Sequence, residues 1–500
     1  MRRRVIAISA FVLLAIAATV ISLLTAKWPF TRAAVIKQLE ELGEGKVEIG
    51  TFRPTYFPPG CVASNVSFNG RSTADSRRPI TVKTMTVVGS YAGLFEFPKH
   101  IRLIRLDGMK VMEVPGGELG KPSRSTELVV DEIKADGAEL DIAQNGARTE
   151  RLHFQVRSLS LQHVVAGKPF SFKGTVRLPE PPGEVNVGGT AGPWNDANPG
   201  QTPISGNFIL ENADLGAFKG IGGKLAGKGQ FRGLMEHIEI MGTTSMPQFV
   251  VKSSNHGLPL TTNFHAFVDG TNGDVTLAPV DAMLGESIIH SVGKIEKDGN
   301  DSGKTATLDF STVRGRIQDL LYLFVQSKAP MTGFTNFHAR VVVPPTAEPF
   351  LHKVRIEGDF GIGGSKFTKP ATQEKVDELS KRAQGNNENK EEDPTTTVSD
   401  LKGHVRLENG VATFSRLSLS VPGASAVLHG TFNIETEKID LHGMLRTDVK
   451  LSKATTGFQS FLLKVMEFMK SKKKEGAVVP VKITGTYDKP SFDVDAPAEK

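Results

Sequence analysis

The sequence predicts a mainly β protein in which one N-terminal membrane helix precedes a long antiparallel, strand-rich body with a few helices. Three observations carry this expectation. Apolar residues recur at every second position along most of the chain, turn dipeptides separate those runs, and no sustained alternation with helices marks a parallel α/β architecture. Composition agrees, since 51 glycines and 28 prolines against two tryptophans suit many short strands and turns.

The membrane helix is read from Arg2, Arg3 and Arg4 and the apolar run Val5–Leu24, interrupted only by Ser9, Thr19 and Ser22. At about 1.5 Å per residue such a run covers roughly the 30 Å of a hydrocarbon core. The arginines hold the N-terminus in the cytoplasm, which sends everything after Lys27 across. A cleaved signal peptide has an apolar region of about 7 to 15 residues and a small-residue cleavage site. Here the core is longer, and Leu24-Thr25-Ala26 puts a bulky residue where a small one is wanted, which favours an uncleaved anchor. Either way the body is exported.

The single cysteine, Cys61, cannot form an intramolecular disulfide, lies too far beyond Leu24 for lipidation, and reads as a small half-buried side chain. Net charge is +6, and removing the three leading arginines leaves +3. Basic and acidic residues are interleaved along the strands, which argues against a nucleic-acid partner.

Four regions follow from the pattern: 1–27, the basic end and anchor; 28–120, a short helix and then strands; 121–350, a β-rich middle; and 351–500, a C-terminal strand region. Thr31 caps a helix through Ala33, Val35, Ile36, Leu39 and Leu42 that stops at Gly43 and plugs one end of the body. Alternation then runs through Val47/Ile49, Val66/Phe68, Ile80/Val82, Phe154/Val156, Phe170/Phe172, Val405/Leu407, Leu417/Leu419/Val421 and Val481/Ile483. Asp107-Gly108, Asp136-Gly137, Asn145-Gly146, Asp269-Gly270, Asn272-Gly273 and Asn409-Gly410 are turn signals. Val275–Gly293 and Val411–Gly430 echo one another as strand, turn, strand, glycine, a unit that stacks along one axis.

Two segments break the pattern. A charged helix over Gln373–Ala383 runs into a polar stretch, 385–397, expected to be a disordered loop. Over 456–474, Phe458, Phe461, Leu462, Val465, Met466, Phe468 and Met469 make one face of an amphipathic helix whose end carries Lys470, Lys472, Lys473 and Lys474. That face suits a membrane surface or a cap over the sheet.

Motifs for chemistry are missing. Gly222–Lys228 fits the start of a phosphate loop, but Gly229 stands where a magnesium-binding Ser or Thr belongs, so a glycine-rich turn is the better reading. No H-E-x-x-H or G-x-S-x-G occurs, and His153, His265, His338 and His404 sit at wet-face strand positions. The expectation is therefore no enzyme, no cofactor and no metal.

Several motifs together resemble the AsmA family. Near the N-terminus they are Lys46–Gly50, Tyr56–Gly60, Val62–Phe68, Leu94-Phe95, His100–Gly108 and Val111. Towards the C-terminus they are Leu379–Gly385, Leu401–Ala412, Gly430–Ile434, Ile439–Gly443 and Val479–Pro490. The matches cover about half the chain and leave 190–350 with general strand-and-glycine texture.

The resemblance implies an inner-membrane protein of a two-membrane envelope, single-pass, with its body in the periplasm and a role in envelope or outer-membrane biogenesis. Larger relatives are similar to bridge-like lipid transfer proteins, whose elongated, curled sheet forms an apolar groove. At about 4.8 Å per strand, some 20 to 25 strands would give a groove on the order of 100 Å long. Phospholipid is the implied ligand, the inner membrane is engaged through residues 5–24, and an outer-membrane or envelope protein is a further partner. The family supplies no catalytic motif.

Candidate lipid-facing residues are Val82, Phe154, Val156, Phe170, Phe172, Val405, Leu407, Leu417, Leu419, Val421, Val481 and Ile483, though a closed core would bury the same side chains. The alternative is an assembly factor for outer-membrane proteins that acts by sheet-edge pairing, without lipid transfer.

Overall fold

Alternation becomes strand along most of the computed structural model, which describes residues 28–43, 45–70, 80–95, 99–112, 128–143, 151–179, 181–195, 198–297, 303–383, 399–447, 478–486 and 489–495. The expected membrane helix at 5–24, the polar loop at 385–397 and the helix at 456–474 lie outside these residues. Among the described residues no helix is long and apolar enough to cross a membrane. The chain divides into two units: unit 1 holds residues 1–179 and 185–206, unit 2 residues 180–184 and 207–500.

Unit 1 begins with helix α1 (Arg32–Gly43) and strands β1 (Gly45–Thr55), β2 (Gly60–Gly70) and β3 (Ile80–Gly89). A one-turn helix, α2 (Tyr91–Phe95), leads to β4 (Lys99–Met112), β5 (Leu128–Ala143), β6 (Arg151–Val165) and β7 (Phe170–Leu178). β8 (Gly183–Ala191) and β9 (Pro203–Asp214) are each shared between the two units.

From β1 to β7 sequence neighbours pair antiparallel with one correction to the expected pattern, because β4 and β5 are parallel, with Ile104 beside Ile133 and Leu106 beside Ala135. Residues 113–127 join them, and a connection of that length can return the chain to the end it started from. Two expected turns are corrected as well. Asp107-Gly108 and Asp136-Gly137 lie inside β4 and β5, with φ of +62° and +64° at the glycines and Asp107 beside Asp136. The positive φ that glycine supplies to a hairpin is adopted here inside two strands that stay in register.

Helix α1 forms where Thr31 predicts, with the Ala34 N–H donating to Thr31 Oγ1 at 3.3 Å. Its Val35, Ile36 and Leu39 pack on Val47, Ile49, Val66 and Val82. The helix also serves the outer edge of β1: Arg32 donates to Ile49 O at 2.6 Å, and Glu40 Oε1 accepts from the Val47 N–H at 3.1 Å. Edge groups that would otherwise template another strand are thereby occupied.

Unit 2 is a meander. After the two-residue β10 (Ile221–Gly222) come β11 (Lys224–Leu234), β12 (His237–Val251), β13 (Gly257–Val268), β14 (Val275–Leu284), β15 (Ser287–Glu296) and β16 (Thr305–Arg316). Short helices α3 (Ile317–Leu321) and α4 (Phe350–Lys353) flank β17 (Met331–Val343), and α5 (Pro370–Ala383) follows β18 (Arg355–Phe367). The run closes with β19 (Ser399–Glu408), β20 (Val411–Val421), β21 (Ala424–Asn433), β22 (Lys438–Thr447), β23 (Val478–Thr486) and β24 (Lys489–Val494). From β11 onward each strand pairs antiparallel with the next.

Asn409-Gly410 makes the β19–β20 turn with φ of 51° and 73°, the two positive values of a type I′ hairpin. The sequence echo is geometric as well. In hairpins β14–β15 and β20–β21, Gly293 (φ +158°) and Gly430 (φ +141°) pair with Leu277 and Phe414, and in each case the first strand bulges immediately after that pair. A side chain on Gly430 would collide with the Asp440 carbonyl oxygen of the next strand.

Gly430→Ala should therefore lower the midpoint of chemical unfolding followed by circular dichroism, at a cost of about 1–3 kcal/mol. Gly361→Ala, whose nearest neighbour would be Lys402 Cγ at 3.8 Å, should change it little. Equal shifts would count against the positive-φ requirement.

Candidate functional site

Because antiparallel partners stand side by side, register turns period-two strands into rows that cross the sheet. In unit 2 one row runs Phe231, Ile240, Ala266, Leu277, Gly293, Leu308, Val341, Ile356, Leu407, Ala412, Phe432, Ile439, Gly485 and Pro490, one residue from each strand β11 to β24. A second crosses β16 to β24 as Phe310, Ala339, Gly358, Val405, Phe414, Gly430, Leu441, Ile483 and Phe492. Both lie on one face.

Protein buries two patches of this face near the strand ends and leaves the rest partly accessible. On one side Leu417, Val421, Ala424, Ala426, Leu428, Leu445, Val479 and Val481 form a buried cluster against which Val376 of α5 rests. On the other side Val354, Leu407 and Ala412 are buried beside Phe324 and Phe350. Between them the large side chains of the second row, Phe310, Val405, Phe414, Leu441, Ile483 and Phe492, are all half-buried. Glycines give the rings room to lie along the sheet. A Cβ on Gly229 would stand 2.8 Å from the Phe208 ring, and one on Gly403 would stand 2.9 Å from the Phe360 ring.

Unit 1 has its own rows. Phe52, Ala63, Met85, Leu106, Ala135, Leu159 and Gly174 form one, and Cys61, Val87, Ile104, Ile133, Leu161 and Phe172 form another. Trp28 and Phe30 pack on this face beside Cys61, Ile101 and Val130. Cys61 is thus wholly buried rather than half-buried, and burial pushes its thiol up to about 11.

The twelve lipid-facing candidates separate by burial. Val82, Val156, Leu407, Leu417, Val421 and Val481 are buried against protein, with Val82 lying in the cluster on which α1 packs. Phe154, Phe170, Phe172, Val405, Leu419 and Ile483 are half-buried. The sequence reading missed Phe310, Phe414, Leu441 and Phe492, although Ala306, Leu308 and Phe310 alternate with Thr307, Asp309 and Ser311 and could have revealed the first. The cap-helix candidates Phe458, Phe461, Leu462, Val465, Phe468 and Met469 lie outside the described residues.

The opposite face of unit 2 is polar in the same register. Lys228, Thr243, Asn263, Asp281, His290, Ser311, His338, Asp359, His404 and Arg416 form one row. His338 and His404 stand on this wet face as expected, and His265 Nε2 lies 3.0 Å from Glu239 Oε1. The charges are matched across strands. The Arg232 hydrogen bond, at 2.7 Å, is the main cause that lowers the Glu239 carboxyl, and Arg340 at 3.0 Å does the same for Asp309. Such exposed pairs are screened by water and set register more than stability.

Gly227 and Lys228 lie within β11, so the extended backbone there cannot wrap a phosphate, and Gly223, with φ of +133°, makes the kink between β10 and β11. Among the described residues no group of three or more His, Cys, Asp or Glu is placed to hold a metal ion. No family model, no curated protein and no solved structure matches the chain.

Two outcomes test these surroundings. Cys61 should resist thiol reagents at pH 8 in the folded protein and react on unfolding, a difference read by mass spectrometry of the alkylated chain. His442 bonds Asp495 at 2.8 Å and Asp440 at 3.0 Å, and these bonds, Asp495 first, raise its pKa above the ordinary imidazole value. The stability gained is fully present below the unfolded pKa of about 6.5 and is lost as pH rises through the raised folded one. Asp495→Asn should lower the pKa measured by NMR titration, and its small loss of stability should shrink as pH rises.

Proposed function

We propose that this chain is a membrane-anchored, AsmA-like protein of the periplasm that holds phospholipid acyl chains along its apolar sheet faces and serves envelope biogenesis. The supporting observation is the second row, from Phe310 to Phe492, whose large side chains stay half-buried beside the buried clusters around Leu417 and around Leu407. A closed core drives its large central side chains to full burial, whereas acyl chains can cover a face that no second sheet covers. Polar groups on the opposite face are paired with one another across strands, so that face suits water. The resemblance of the terminal motifs to the AsmA family and the apolar run at 5–24 support the location.

Photoreactive benzoylphenylalanine at Val405 or Phe414 of the full chain, in membranes that contain clickable phospholipid, provides the test. Lipid adducts should form at these positions and not at Arg406 or Thr413 on the polar face. Adducts at neither pair, or equally at both, would overturn the reading.

A further inference from the structure

In unit 1 every exposed large hydrophobic side chain among the described residues lies at one end of the strands. They are Tyr56, 43 % exposed, Phe57, 89 % exposed, and Trp194, 42 % exposed. Register places them together. Tyr56 and Phe57 form the β1–β2 turn, and Gly60 at the start of β2 pairs with Val88 at the end of β3. β4 and β5 both start at this end, where Lys99 stands beside Leu128, and Val129 pairs with Val165 at the end of β6. The β6–β7 turn carries exposed Lys168, and a Cβ on Gly192, two residues before Trp194, would lie 3.3 Å from Lys168 O.

The described chain also begins here. Trp28 is packed with ring centroids 5.0 Å from Tyr56 and 6.3 Å from Tyr91, and Phe57 lies 5.9 Å from Tyr91. Residue 28 therefore leaves the apolar run 5–24 only a few residues from this aromatic end. Trp194 is exposed at it, along with Tyr56, Lys99 and Lys168, while Trp28 is buried beneath it. Amphipathic rings flanked by lysines match the headgroup layer of a phospholipid bilayer, where a ring meets acyl carbon and its polar edge meets water.

We propose that this end of unit 1 is seated in the interfacial layer of the membrane that carries the anchor, with Phe57 and Trp194 entering the boundary between headgroups and acyl chains. The inference deepens the proposed function and rests on its reading of residues 5–24 as an anchor. Seated in this way, the half-buried part of the row that holds Ile133, Leu161 and Phe172 lies towards the bilayer surface, and a lipid can pass from leaflet to sheet without crossing open water.

The test uses the full chain in vesicles of phosphatidylcholine and phosphatidylglycerol, with the phosphatidylcholine brominated either near the headgroup end or near the methyl end of its acyl chain. Trp28→Phe leaves Trp194 as the sole tryptophan. A second reporter combines Phe57→Trp with Trp28→Phe and Trp194→Phe. A control places the tryptophan at Val313, an exposed site in unit 2.

Seating predicts a blue shift and a loss of emission for both reporters, larger with bromine near the headgroup than near the methyl end, and no loss for the control. Quenching of both reporters no greater than the control overturns it. If Trp28→Phe does not fold, the unaltered protein gives the same reading at lower contrast. Lipid adducts at Val405 and Phe414 measured on matched samples separate the two claims. Adducts without quenching overturn the seating alone, and quenching without adducts supports the seating while overturning the lipid-holding reading.

Discussion

Cross-strand register is the constraint on which the rest depends. Side chains alternate across a strand, so a slip of one residue between any two neighbours would exchange the apolar and polar faces of every strand beyond it. The rows from Phe231 to Pro490 and from Lys228 to Arg416 survive only because no such slip accumulates. Matched pairs such as Arg232–Glu239 and Arg340–Asp309 oppose a slip on the wet face, and interlocking phenylalanine and glycine oppose it on the dry one.

Bulges are where this constraint is adjusted. Phe414 and Leu417 are three residues apart and would point to opposite faces of a regular strand, yet both belong to the apolar face because Ser415 is the extra residue opposite β19. Leu277 and Val280 repeat the arrangement in β14. The matching positive-φ glycines, Gly293 and Gly430, sit opposite the residue before each bulge and let neighbouring backbones approach where a side chain could not fit. The fold thus reuses one hairpin design, with the phase shift built into it.

Burial separates two kinds of apolar residue that look alike in sequence. Leu417 and Val405 both alternate with polar neighbours, but Leu417 is packed in a cluster against which α5 rests, whereas Val405 lies in the half-open middle. The difference comes from distant chain segments, α5 and the Phe324 and Phe350 side chains, which bury patches near the strand ends and leave the centre half-covered. Ligand access is therefore a property of what covers the sheet rather than of the strands themselves.

Sequence alone determined the strand content, the helix after Thr31, the Asn409-Gly410 hairpin, the repeated unit and the wet-face histidines. Each of these is set by local periodicity or by the φ preference of one or two residues. The phase change from Val275 and Leu277 to Val280, Ala282 and Leu284 even announced a bulge to a careful eye. Only the tertiary structure decided that β4 and β5 run parallel, that Asp107-Gly108 and Asp136-Gly137 lie inside strands, and that Cys61 is sealed while Phe310 is not. It alone gathered Phe57 and Trp194 at one end of unit 1. Those outcomes depend on partners more than a dozen residues away, whose pairing is fixed by packing and register that no local pattern encodes.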